Sequence, residues 1–132
     1  MTILFLVVGF FLVLSVSYTR VLLSGSTSGR PIPVVATATA GTTMHTAVAG
    51  AASWDEIYAW FNNTDTVART LTIEYGNAGT VGDHLVDTLS LPLSSPAIPI
   101  VTGQVLNGGL AMKAFASVAS IINCTGYVNR IS

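Results

Sequence analysis

The chain is short of charge. Asp, Glu, Lys and Arg make up 8% of its 132 residues, against about 25% in an ordinary soluble domain. The net charge is −1, and the five cations (Arg20, Arg30, Arg69, Lys113 and Arg130) are scattered. A nucleic-acid surface gathers several cations on one face to meet phosphates, so this pattern argues against nucleic acid as a partner. There is one cysteine, Cys124, which excludes an intramolecular disulfide. It lies in an apolar strand-like run with no cation beside it, the setting of a buried, inert thiol. Cations are also absent ahead of Arg20, although the first residues are apolar: Ile3–Leu14 is a continuous apolar run that fades by Tyr18. That is short of the about 20 residues a membrane-spanning helix needs, and it lacks the flanking charges that orient one. A basic start for a signal peptide is missing too, though Ser15, Val16 and Ser17 offer a small-x-small cleavage pattern. The third reading is an apolar N-terminal arm, residues 1–18, that packs against its own domain or a neighbour. Residues 19–132 then form a single domain, large enough to bury one core.

With so little charge, the polar surface must come from Ser, Thr, Asn and Gly. Such a surface is weakly protected by charge repulsion and tolerates close contact with other protein. A Thr/Ser-rich β domain of extracellular or viral origin would carry the same composition.

The pattern after residue 20 is that of strands. Ser24–Gly29 reads as a polar turn, and Arg30–Pro33 as an extended edge segment, since Pro cannot donate to a ladder. Strand-like runs follow at Val34–Thr39 and Thr42–Val48. In Asp55–Phe61, Ile57, Ala59 and Phe61 share one face and Tyr58 and Trp60 the other. Both faces are apolar, which predicts a central strand. Arg69–Tyr75 alternates with Leu71, Ile73 and Tyr75 inward and Thr70, Thr72 and Glu74 outward. These two runs, joined by Asn62–Asp65, read as a hairpin. After the Gly-rich loop Gly76–Asp83 come His84–Leu91, Ile98–Val101, Ala111–Ala116 and Ser120–Val128, with Asn107-Gly-Gly109 as a tight turn. Flanking Gly and β-branched neighbours favour strand over helix near Ala111–Ala119. About eight or nine strands at this spacing predict an all-β fold, a jelly-roll-like or related antiparallel β-sandwich.

The chemistry-bearing residues do not converge in sequence. His45 and His84 are far apart and in no metal-binding spacing. His84 has Asp83 and Asp87 nearby, but an offset of three puts His84 and Asp87 on opposite faces of a strand. Asn62, Asn63, Asp65, Asn77 and Asp83 fall in turns and match no calcium loop. No Gly-x-Ser-x-Gly is present, and the Gly76–Gly82 loop lacks the Gly-Lys-Ser/Thr and helix of a phosphate cradle. Asp55 and Glu56 are adjacent, so they face apart, and read as the polar start of a strand. The aromatics Trp54, Tyr58, Trp60 and Phe61 read first as core and second as a glycan-stacking platform. No catalytic, cofactor-binding or metal-ligating residue is assigned, and the chain reads as a non-enzyme without a cofactor or small-molecule substrate.

The stretches Gly29–Ala47, Trp54–Thr64, Arg69–Gly76, Leu106–Met112 and Gly126–Ile131 resemble small virion proteins of tailed bacteriophages, above all head decoration (cement) proteins. The resemblance covers residues 20–132 and rests on strand-and-turn motifs. It implies a β-sandwich or jelly roll, a homotrimer, and a place on the outer capsid surface, clamping neighbouring copies of the major capsid protein. It implies no catalytic residue. Two rival readings remain: a membrane-anchored or pilin-like surface subunit with a β head, and a glycan-binding tail or fibre module.

Overall fold

A computed structural model describes residues 15–132, and most of the apolar arm assigned to residues 1–18 therefore lies outside the described residues. The described residues form nine strands: β1 (Tyr18–Leu22), β2 (Ile32–Pro33), β3 (Thr42–Thr46), β4 (Trp54–Asn63), β5 (Arg69–Gly76), β6 (His84–Leu91), β7 (Ile98–Leu106), β8 (Ala111–Ala116) and β9 (Ile122–Ile131). A short 3-10 turn, Val81–Asp83, interrupts the Gly-rich loop.

The strands form two antiparallel sheets. One has the order β1-β9-β4-β7, with β2 also on β9; the other is β3-β8-β5-β6. The partners nest in sequence: β1 and β2 with β9, β3 with β8, β4 with β7, β5 with β6. This is a long antiparallel ribbon rolled on itself, the jelly-roll order. The expected β-sandwich is therefore present. Its core is drawn from both sheets, with Ile57, Ala59, Phe61, Cys124 and Val128 facing Met44, Leu71, Ile73, Met112 and Ala114.

Several expectations need correction. β4 and β5 are not a hairpin: β4 lies between β9 and β7, and β5 lies between β8 and β6 in the opposite sheet. The connection is fixed by Asn63, whose side-chain amide donates to the carbonyls of Val67, Leu91 and Pro92 while its Oδ1 accepts the Asp65 N–H. Local sequence could not reveal this, because these acceptors are up to 29 residues away. Val34–Thr39 is not a strand. The N–H groups of Val35 and Ala36 bond to Thr42 Oγ1 instead of to a ladder. Asp55 is not a polar strand start, since it is fully buried. Ser17 exchanges backbone hydrogen bonds of 2.8 and 3.0 Å with Ser132, and Tyr18 opens β1.

Candidate functional site

The outer face of the five-stranded sheet carries Tyr18, Trp54, Tyr58, Trp60 and Tyr127. Strand registry arranges them in rows. Tyr18, Ile131 and Trp54 make the first, and Arg20, Asn129, Glu56 and Val105 the second. Leu22, Tyr127, Tyr58 and Thr102 make the third, and Thr125, Trp60 and Pro99 the fourth. Of the four aromatics read as core, only Phe61 is core. Trp54, Tyr58 and Trp60 occupy the outward positions of β4, and Trp54 is 42% exposed. A sequence signal for this existed. Glu56 and Asn62 share their parity in β4, and Asn123, Thr125 and Asn129 share that of Tyr127 in β9, which marks a solvated face.

The rings support one another. Tyr58 stacks on Tyr127 with centroids 5.1 Å apart, and Trp60 tilts against Tyr127 at 5.9 Å. From the β1 side, the Arg20 guanidinium lies 4.3 Å from the Tyr127 centroid, a cation–π contact. Tyr127 is thus occupied on both sides. A sugar stacks on an open ring face, so Tyr127 itself offers none. The Tyr58 hydroxyl donates to Glu56 Oε1 at 2.7 Å. It passes over Gly103, where a Cβ would sit 3.2 Å from that oxygen. At the end of the face, Val16, Tyr18, Ala52, Trp54 and Ile131 line an apolar groove.

Two buried carboxylates organise the rest. Asp55 Oδ2 accepts His45 Nε2–H at 2.8 Å, the Val48 N–H at 3.0 Å and Arg130 at 2.9 Å, while Oδ1 accepts a second Arg130 bond at 2.8 Å. His45 reaches Asp55 because a bulge in β3 turns both Met44 and His45 inward. His45 Nδ1 accepts the Ser24 N–H at 3.0 Å, which places its proton on Nε2. Serine, histidine and aspartate thus meet, but Ser24 gives its backbone, and its Oγ accepts the Thr46 N–H. Both imidazole nitrogens are thus taken, by the Ser24 N–H and by Asp55, and among the described residues no hydroxyl or thiol bonds to the ring. Glu74, on the outer face of the other sheet, is covered by two loops and accepts from the Thr39 hydroxyl and from the N–H groups of Gly41 and Gly79.

Burial alone would raise the pKa of both carboxyls. In Asp55 the bonds from Arg130, His45 and the Val48 N–H outweigh it and hold the carboxyl below its usual range. In Glu74 the Thr39, Gly41 and Gly79 donors do the same, helped by the nearby His84. A carboxyl depressed in the folded state contributes stability that is fully present above its unfolded pKa, about 3.9 for Asp and 4.3 for Glu. That stability is lost as pH falls through the folded value. The urea midpoint is therefore expected to fall as pH drops below about 4. Glu74→Gln is expected to lower the midpoint at pH 7 and to flatten the acid limb. An unchanged acid limb in this variant would refute the assignment.

The remaining candidates do not assemble into a site. His84 Nδ1 lies 3.8 Å from Asp87 Oδ1, so the two share a side against expectation. The cause is a pair of register shifts between β5 and β6 that breaks strict alternation. Cys124 is fully buried, and burial pushes its thiol up to about 12. Among the described residues, no group of three or more His, Cys, Asp and Glu could hold a metal ion, and no helix is long and apolar enough to cross a membrane. Comparison with protein-family models, with curated proteins and with solved structures finds no match.

Proposed function

We propose that this chain is a virion structural protein, a capsid decoration subunit that stabilises a phage head by binding between major capsid proteins. The observation that carries the reading is the aromatic outer face of the five-stranded sheet. Stacked rings, an arginine held on a ring and an apolar groove at one end lie in rows across four strands. Tyr, Trp and Arg are the residues that dominate binding energy in protein interfaces. Here they are preassembled by contacts within the chain, so little side-chain freedom is lost when a partner covers them. Charge is sparse, so little desolvation opposes burial. In this reading a homotrimer sits on the outer capsid surface, and each subunit covers more than about 1,000 Å² of shell, the scale of a stable contact. The added burial opposes the internal pressure of packed DNA.

Stoichiometry tests it. Purified virions should contain the chain at a copy number comparable with that of the major capsid protein. A handful of copies per particle would point to tail or portal, and recovery in membranes or filaments would favour the anchored, pilin-like reading. The face itself is tested by Trp60→Ala. Trp60 is only partly buried, so the domain should stay folded by circular dichroism, while affinity for undecorated heads should drop by about 2 kcal/mol or more. Undiminished binding would remove this face from the interface.

A further inference from the structure

The opposite side of the sandwich has a hollow that the aromatic face does not involve. It measures about 130 Å³ and lies on the outer face of the four-stranded sheet. Thr70 and Thr72 of β5, Thr88 of β6, Thr37 from the crossing before β3, Ser117 after β8, and the Phe115 ring line it.

The hydroxyls are set up to bind. Thr72 is 4% exposed, and its Oγ1 accepts the Thr88 N–H at 3.0 Å. Ser117 Oγ accepts the Thr70 N–H at 3.1 Å. An oxygen fixed as an acceptor for a backbone amide keeps its own proton to donate elsewhere. The hydroxyls of Thr37 and Thr70 have no hydrogen-bond partner among the described residues. Thr88 is held at φ +49°, a left-handed conformation that a β-branched residue rarely adopts. Thr88 is exposed and falls where the β5–β6 register shifts between the Leu71 and Ile73 pairs, so the bulge sets this conformation.

The lining also states what fits. No Asp, Glu, Lys or Arg lines the hollow, and the Thr88 hydroxyl at its rim donates to the adjacent Asp87 at 3.0 Å, so a phosphate or carboxylate would be desolvated with a like charge beside it and no counter-charge. A purely apolar ligand would strand the hydroxyls. The complement is a neutral group with hydroxyls on its edges and C–H bonds on a face that can lie against Phe115. We propose that this hollow binds one neutral sugar unit of a glycan, with the ring partly in solvent. The proposal does not rest on the decoration reading. If the aromatic face does meet a capsid, the hollow points away from the shell.

The test is amide NMR of the full chain titrated with methyl pyranosides of glucose, galactose, mannose, rhamnose and N-acetylglucosamine. At least one should give saturable shifts confined to Thr37, Thr70, Thr72, Thr88, Phe115 and Ser117, with a dissociation constant in the millimolar range. Thr70→Val replaces the hydroxyl by a methyl of the same shape and should weaken that binding about tenfold, as should Phe115→Ala. An unchanged spectrum away from the hollow would show that each variant is folded. The proposal is overturned by the absence of saturable shifts across the panel, by shifts that map to Trp54, Tyr58, Trp60 and Tyr127, or by full binding in Thr70→Val. Copy number in virions bears on none of these outcomes.

Discussion

Asp55→Ala is expected to destabilise the domain by about 3–5 kcal/mol, a large share of the total for a chain of this size. The carboxylate is fully buried, and so is the His45 that donates to it, while Arg130 brings its guanidinium in from the rim. Removing it leaves the Arg130 guanidinium without its counter-charge, the His45 Nε2–H without an acceptor and the Val48 N–H unpaired. The three donors come from both sheets and the connection between β3 and β4, so the loss opens one end of the sandwich. Asp55→Asn keeps one acceptor oxygen but turns an amide NH₂ toward donors, and should recover only part of the loss. Glu56→Gln, one residue away on the opposite face, is the contrast. Its carboxylate only holds the Tyr58 hydroxyl and Asn129 at the surface, and it should cost less than about 1 kcal/mol. Urea unfolding at pH 7 measures all three variants. Equal effects at positions 55 and 56 would refute the hub.

Gly126→Ala should do comparable damage through sterics alone. Gly126 pairs with Ala59 across β9 and β4. A Cβ built there would lie 2.1 Å from the Tyr58 carbonyl oxygen and 3.0 Å from the Ala59 Cα. Both are backbone atoms of a central strand, so neither can move without breaking the ladder. The expected cost is about 3 kcal/mol or more, or failure to fold. The neighbouring Tyr127 would be displaced with the strand, so the Tyr58–Tyr127 stack should loosen even if the variant folds. Near-ultraviolet circular dichroism would report that change. A native-like spectrum and an unchanged urea midpoint would contradict the close approach. Gly108 is the control, since its Cβ would meet nothing within 4 Å. Its φ of +67° still makes alanine there mildly unfavourable.

These two positions show where sequence reading reached its limit. Alternation placed Ile57, Ala59 and Phe61 together and Leu71 with Ile73, and all five are fully buried. The period of two is a property of the extended backbone and needs no partner to be read. Edge behaviour at Pro33 and the turn at Asn107-Gly-Gly109 were legible for the same reason: Pro lacks an N–H, and Gly108 and Gly109 both have positive φ. The single thiol, the scarcity of charge and the lack of a nucleophile motif were also plain.

Partnership across the sheets was not legible. The sequence suggested that neighbouring strands pair, yet β4 and β5 part company, because rolling the ribbon places β4 beside strands from the second half of the chain. Which apolar face is inside was undecided while both faces of β4 were apolar. Packing against the opposite sheet buried Phe61 and left Tyr58 and Trp60 outside, where they found Tyr127. Asp55 read as a surface charge because its partners lie 10 and 75 residues away, and a bulge was needed to turn His45 toward it. The sequence by itself determined a charge-poor all-β sandwich and the alternation within β4 and β5, because those follow from local backbone geometry and composition. Only the tertiary structure decided the strand order, the buried carboxylate hub and the aromatic outer face, because each depends on contacts between residues far apart along the chain.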